Sequence, residues 1–80
     1  MLKSFDANTI VVGTRQTVKM IKKDKVNRVY IAKDCDEPIQ QRIANLCEEH
    51  GIEIEQVDTM EELGEAAGIE RKTAAVAKLK

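Results

Sequence analysis

The sequence contains very few aromatic residues. One phenylalanine, one tyrosine and no tryptophan occur among 80 residues, so valine, isoleucine, leucine and alanine must fill the core. No run approaches the ~20 apolar residues that cross a bilayer, and the first residues, MLKSFDANT, lack the apolar segment of a secretion signal. Chains of about this length bury only roughly 60% of their unfolded surface. We therefore expect one thin-cored cytoplasmic domain over residues 1–80, with no membrane association.

The sequence also lacks the motifs of metal, redox and nucleotide chemistry. Cys35 and Cys47 are too far apart for a CxxC pair or a zinc knuckle, so we expect two thiols packed as small apolar groups. Asp34 and Asp36 do not begin a calcium loop, and His50 has no nucleophile beside it in a known motif. Neither a Walker A loop nor a dinucleotide fingerprint is present. We expect no metal, no cofactor and no catalytic residue.

Acidic and basic residues are segregated along the chain, although the net charge is only −1. Residues 14–33 contain seven basic side chains and a single acid, Asp24. Residues 34–70 contain twelve acids and, apart from His50, a single base, Arg42, and residues 71–80 are basic again. A basic face that gathers phosphates, with an acidic back, would produce this pattern. Ordinary solvated faces would produce it equally well, and composition leaves both interpretations open.

The apolar periodicity predicts short strands that alternate with helices. The predicted strands are 9–12, 26–32, 52–57 and 74–79. The predicted helices are 2–8, 14–24, 36–51 and 59–68. Thr14, Asp36 and Thr59 are the expected helix caps, and Gly51 is placed for a left-handed helix end. This order predicts an α/β fold, a three-layer α/β/α sandwich with a mixed sheet of about four strands.

The junction between the first strand and its helix is the strongest candidate site. Gly13 has no side chain, so a partner can approach the backbone closely there. A helix that begins at Thr14 offers unpaired N–H groups and a partial positive charge to a phosphate. Arg15 and Gln16 can pair with base edges, and Lys19 follows one turn after Arg15 on the same face. An ordinary helix start is the alternative that the local sequence leaves open.

A second candidate is the stretch of residues 64–73. Small residues end a helix there, and Ile69 then precedes the basic pair Arg71 and Lys72. Ile69 or the stem of Arg71 could cover an unstacked base. The alternative is a loop with one buried anchor and two solvated cations.

Three segments, GTRQTVK, VYIAKDCDEP and LGEAAGI, occur in this order. Together they resemble the archaeal-type ribosomal protein family that binds kink-turn RNA, and the short bacterial ribosomal-like members resemble the chain from end to end. The resemblance implies a three-layer α/β/α sandwich without enzymatic activity. It implies, as partner, structured RNA containing a kink-turn, with the ribosome as one setting, and we expect a monomer.

The resemblance also implies which residues contact the RNA. The long members carry an Asn-Glu pair after the Gly-Thr motif and contact sheared G·A pairs, whereas this chain has Arg15 and Gln16, similar to the short bacterial members. Long members are apolar in the second loop, so Arg71 and Lys72 predict more phosphate contact here. The expected RNA contacts are Gly13, Thr14, Arg15, Gln16, Lys19, Lys22, Lys33, Ile69, Glu70, Arg71, Lys72 and Thr73.

Two other functions stay open at this level. The acidic stretch is compatible with a protein–protein adaptor domain of the same fold. A small nucleotide- or metabolite-binding enzyme is the third possibility, and the missing phosphate motifs and the missing activated nucleophile count against it.

Overall fold

The computed structural model describes residues 5–80. Within that range no helix combines the length and the apolar character needed to cross a membrane. A 3-10 turn, Ala7–Thr9, precedes the first strand. The elements that follow are β1 (Ile10–Val12), α1 (Thr14–Lys22), β2 (Val26–Ala32), α2 (Glu37–His50), β3 (Glu53–Val57), α3 (Met60–Ala66) and β4 (Ala75–Leu79).

The four strands form one mixed sheet in the order β1-β4-β2-β3. β4 is antiparallel to both β1 and β2, whereas β2 and β3 are parallel and are joined by the crossover helix α2. As a result β1, β2 and β3 all end at the same end of the sheet, where β4 begins. We call this the helix-start end, defined by Val12, Ala32, Val57 and Ala75, because each of the three helices begins there.

Helices cover both faces of the sheet. Side chains along β2 alternate between the faces, and Val29, Tyr30, Ile31 and Ala32 are all buried, so both faces are covered at β2. α1 and α2 pack together on one face. On the other face the ring of Tyr30 packs at a tilt against that of Phe5, with centroids 4.6 Å apart, and the Phe5 N–H donates a hydrogen bond to the carbonyl of Ala66 at the end of α3. The predicted three-layer sandwich with a mixed four-stranded sheet is confirmed.

The starts of two helices differ from the sequence prediction. Thr14 is the first residue of α1 rather than its cap, because Gly13 occupies the N-cap position. Asp36 does precede α2, but its side chain makes no capping hydrogen bond. The third prediction is confirmed, since Thr59 Oγ1 accepts a hydrogen bond of 3.0 Å from the Glu62 N–H.

The helix predicted for residues 2–8 is wrong over its described part. Residues 2–4 lie outside the described range, Phe5 and Asp6 are not helical, and Ala7 and Asn8 belong to the 3-10 turn Ala7–Thr9. Asp6 starts this turn by accepting a hydrogen bond of 3.0 Å from the Asn8 N–H. Short polar side chains that bond to nearby backbone in this way compete with regular helix formation.

Both cysteines are free and buried, which confirms the prediction of thiols packed in the core. Burial raises the pKa of the Cys47 thiol to about 11. Burial, and secondarily the neighbouring charges of Asp36 and Asp34, also raise the pKa of Cys35. Both thiols therefore remain protonated at neutral pH and pack as small apolar groups.

Candidate nucleic-acid interface

Gly13 lies between β1 and α1, and its backbone has a conformation that other residues rarely adopt. Its φ is 102°, which would strain any L side chain. The Gly13 N–H donates a hydrogen bond of 2.9 Å to the carbonyl oxygen of Ala75, so the junction is fixed to the start of β4. Apart from its chain neighbours, no atom of residues 5–80 lies within 4 Å of where a Cβ of Gly13 would be. A partner can therefore reach the backbone at this point.

Within residues 5–80, the N-terminus of α1 has neither a capping side chain nor an acid in its first turn. Its N-cap residue is Gly13, which has no side chain to accept a hydrogen bond. By contrast, α2 carries Glu37 in its first turn, and α3 carries Glu61 and Glu62. The N-terminus of α3 is occupied further by Asp34 Oδ1, which accepts a hydrogen bond of 2.8 Å from the Met60 N–H. Of the three helices, only α1 leaves the partial positive charge of its N-terminus uncompensated.

Exposed basic side chains continue from this tip along α1. Arg15, Lys19 and Lys22 are spaced by four and three residues, which places them on one stripe of the helix. None of the three takes part in an ion pair within residues 5–80. Gln16 is exposed beside them, and Thr14 is half-buried. The structure thus brings four predicted contacts together at the start of α1, a surface that we call the α1 tip: Gly13, Arg15, Gln16 and Lys19. Lys22 lies on the same stripe but is the last residue of the helix.

The second predicted contact, residues 68–73, lies back along α3. The Ile69 N–H donates a hydrogen bond of 3.1 Å to the Gly64 carbonyl, and the Thr73 N–H donates one of 3.1 Å to the Met60 carbonyl. The loop therefore runs from the C-terminal end of α3 back to its N-terminal end. Between these bonds the carbonyl group of Arg71 lies so close to Gly64 that a Cβ there would overlap it. Glycine inside a helix costs about 1 kcal/mol relative to alanine. This close approach gives a physical reason for glycine at position 64.

Thr73 connects the loop to the α1 tip. It is only 7% exposed, and its Oγ1 donates a hydrogen bond of 3.1 Å to the Ala75 carbonyl. The same carbonyl accepts the Gly13 N–H. The Thr73 hydroxyl is therefore buried and already bonded, and it holds the loop in place. A direct contact between Thr73 and RNA stays a prediction.

Charge around the loop is mixed. Arg71 and Lys72 are exposed, and they share a shallow cleft of about 190 Å³ with Ile69, Glu61, Glu65 and Glu70. Ile69 is half-buried, and its N–H closes the last turn of α3. Basic side chains therefore occur without acids on the α1 tip, whereas the loop carries charges of both signs.

Lys33 and Glu70 fit an anion-binding surface less well than the α1 tip does. Lys33 Nζ lies 3.5 Å from Asp58 Oδ1, so an acid already compensates its charge. Glu70 is exposed, and its carboxylate would repel a phosphate. Within the described range, no three His, Cys, Asp or Glu side chains lie close enough together to hold a metal ion.

Sequence reasoning missed two structural determinants of this surface. Gly64 carried a detectable signal, because an isolated glycine within a helical pattern often marks a close packing contact. The carbonyl of Ala75, which joins Gly13 to Thr73, carried none. Backbone acceptors leave no trace in residue identity, and this one depends on how β1 pairs with β4.

Comparison with known proteins places the chain in a family. The family described as ribosomal protein L7Ae/L30e/S12e/Gadd45 matches residues 1–80. A Bacillus pumilus protein named RNA-binding protein is 44% identical over 75 residues, which cover 94% of this chain and 92% of that protein. The large ribosomal subunit protein eL8 of Halobacterium salinarum is 38% identical over 73 residues, covering 90% of this chain and 61% of that protein.

A solved structure shares the fold. It is a 15.5 kD RNA-binding protein from Giardia lamblia, with a TM-score of 0.83 and 24% identity, and the match covers 91% of this chain and 62% of that one. At this level of identity the likeness concerns the fold alone. The match of the family over residues 1–80, together with the sequence relatives, shows that this chain belongs to the ribosomal protein L7Ae/L30e/S12e/Gadd45 family.

Proposed function

We propose that this chain binds structured RNA containing a kink-turn and stabilises the kinked form. The observation that carries this function is the α1 tip, where an uncapped helix N-terminus follows an unobstructed Gly13 and is flanked by exposed Arg15, Gln16 and Lys19. The name of the relative from Bacillus pumilus, RNA-binding protein, supports RNA as the partner.

The α1 tip contributes three kinds of contact to this recognition. Its N–H groups and partial positive charge bind a phosphate, and the guanidinium of Arg15 can hold a phosphate or a guanine edge in bidentate fashion. Gln16 can pair with an adenine edge. The major groove of regular duplex RNA is too deep and narrow for side chains to read. Non-Watson–Crick G·A pairs open it and admit the first turn of α1.

Binding of the kinked form alone would shift the shape of the RNA. A kink-turn exchanges between extended and kinked forms, and a protein that prefers one form raises its population by the ratio of the two affinities. The kink brings phosphates close together, and Lys19, Arg71 and Lys72 supply charge to neutralise them. Each neutralised phosphate steepens the loss of affinity with salt.

We infer that the chain acts as a single-domain monomer in the cytoplasm. Ribosomal RNA is one source of the kinked partner, in line with the large-subunit name of the Halobacterium relative. No enzymatic reaction is assigned to the surface.

A gel-shift titration tests the function directly. It compares a kink-turn RNA with the same RNA after its G·A pairs are changed to Watson–Crick pairs. We expect binding to the changed RNA to be at least about tenfold weaker, since each lost base-edge contact costs about 1–3 kcal/mol. Energy transfer between dyes on the two RNA arms should rise when protein is added to the first RNA only. Equal affinity for both RNAs would contradict this function.

A further inference from the structure

We propose that Gly64 is a positioning residue for the second RNA contact. Because it has no side chain, the backbone of Arg71 and Lys72 can lie directly on α3, and this holds both cations at a fixed place relative to the α1 tip. The inference rests on the proposed RNA-binding function. It adds a residue that is itself buried and has no side chain to offer to the RNA.

Position 64 requires glycine because there is no room for a side chain, and not because of its backbone conformation. It lies inside α3 and is not among the residues with a positive φ in the described chain. A Cβ at this position would overlap the carbonyl oxygen of Arg71 and would lie 3.0 Å from the Cα of Lys72. Both neighbours are backbone atoms, so no side-chain rotation can relieve the overlap. An alanine would have to push the loop away by about 1 Å to restore normal contact distances.

The loop, rather than the helix, should give way. Alanine is the best helix former, so α3 gains from the substitution. The loop has no regular structure between Gly68 and Ala75, and it is held by hydrogen bonds from Ile69 and Thr73 at its two ends. The part of the loop that moves is therefore the part between those two hydrogen bonds, which contains Arg71 and Lys72. Their exposed side chains are the cations proposed to contact the RNA.

A double-mutant cycle tests this role. In the wild-type background, the joint substitution Arg71→Ala with Lys72→Ala should weaken binding to the kink-turn RNA by about tenfold. In the Gly64→Ala background the same pair of substitutions should weaken RNA binding by less than about twofold, because the contacts of Arg71 and Lys72 with the RNA are already lost. Arg15→Ala should cost the same factor in both backgrounds. The salt dependence of the Gly64→Ala protein should also be shallower, by about the slope of two phosphate contacts.

A second glycine provides the control for general destabilisation. Gly51 lies after α2 with φ of 66° and nothing near its Cα, so Gly51→Ala strains the fold without touching the loop. It should leave RNA affinity unchanged and keep the tenfold effect of the Arg71 and Lys72 pair. If circular dichroism shows that Gly64→Ala does not fold, Thr73→Val replaces it in the cycle, because that variant removes the hydroxyl anchor of the loop without adding an overlap.

The outcomes separate this inference from the proposed function. The positioning role alone would be overturned if the wild type binds selectively and the losses of affinity caused by Gly64→Ala and by the Arg71 and Lys72 pair are fully additive. Equal wild-type affinity for the kinked RNA and its Watson–Crick version would overturn both. Loss of additivity confined to the loop residues is the result that we expect.

Discussion

Two glycines in this chain are glycines for different physical reasons. Gly13 has φ of 102° and open space beside it, so its backbone conformation excludes side chains and leaves the surface accessible. Gly64 has an ordinary helical conformation and no space, because the backbone of Arg71 lies against it. The first glycine exposes backbone to a partner, and the second positions a loop.

Asp24 is a residue whose replacement should stabilise the protein. It has φ of 59°, the single positive φ of a non-glycine residue within residues 5–80. It follows α1 at a position that usually holds glycine, with its N–H bonded to Ile21 and the next N–H, of Lys25, bonded to Met20. Asp24→Gly keeps these bonds and relieves the strain, so we expect the free energy of unfolding to rise by about 0.5–1 kcal/mol in urea denaturation.

The control for this substitution is a second aspartate with an ordinary backbone. Asp36 has φ of −55°, so Asp36→Gly relieves no strain and should give no gain. Asp24→Gly also removes an exposed ion pair with Lys80 at 3.6 Å, whose contribution is small. An equal gain in both variants would show that the φ of Asp24 is not the cause.

Two buried threonines should respond to valine in opposite ways. Thr17 is fully buried, and its Oγ1 has no hydrogen-bond partner in the described part of the chain, whereas the hydroxyl of Thr73 donates to Ala75. Thr17→Val removes an unsatisfied polar atom and should raise the free energy of unfolding by up to about 1 kcal/mol. Thr73→Val should lower it by about 1 kcal/mol. Changes of the same sign in denaturation experiments would contradict the assigned hydrogen bonding.

Cys47 should make the protein less stable at alkaline pH. Burial raises the pKa of its thiol from 9.0 to about 11 in the folded chain. Because folding raises the pKa of this acid, its contribution to stability is full below pH 9.0 and is lost as the pH rises toward 11. The loss approaches about 2 kcal/mol. The difference in free energy of unfolding between the wild type and Cys47→Ala should shrink by that amount between about pH 8 and pH 11. A difference that stays constant over this range would contradict the raised pKa of Cys47.

The helices and strands were predictable to different degrees. β2 matches its predicted range, Val26–Ala32, because a β-branched apolar run between turn signals leaves little choice. The inner and outer faces of α1 follow from the spacing of Val18 and Ile21. The cap of α1 and the path of the loop along α3 could not be predicted. Both depend on which strands pair and which backbone segments meet, and local sequence does not encode these contacts.

The outward face of α1 should carry most of the RNA affinity. Arg15→Ala and Lys19→Ala should each weaken binding of the kink-turn RNA by about 1–3 kcal/mol, because each removes a contact from the α1 tip to a base edge or phosphate. Gel-shift titration at fixed salt measures the loss.

Matched controls for these variants exist elsewhere on the chain. Arg42→Ala removes an exposed arginine from α2, and Lys78→Ala removes an exposed lysine near the far end of β4. Both should leave affinity within about twofold of wild type. Wild-type affinity in both α1 variants, or equal losses in the controls, would reject the α1 tip as the contact surface.

The sheet order separates two surfaces of opposite character. β1, which leads into α1, lies at one edge of the sheet, and β3 lies at the other. β3 presents Glu53 and Glu55, which both pair with Arg28 at 2.8 and 3.1 Å, so one cation is shared by two acids. This acidic edge repels nucleic acid and also discourages edge-to-edge pairing of strands. Under the proposed function, this distribution of charge would favour one orientation of the protein on the RNA.

The most direct test of the α1 tip as the docking surface is a titration of ¹⁵N-labelled protein with kink-turn RNA, followed by amide chemical shifts. We predict that the largest changes fall on Gly13, Arg15, Gln16 and Lys19, with a second group at residues 69–73, while the amides of Glu53–Val57 stay unchanged. Largest changes along β3, with the amides of residues 13–19 unmoved, would contradict it.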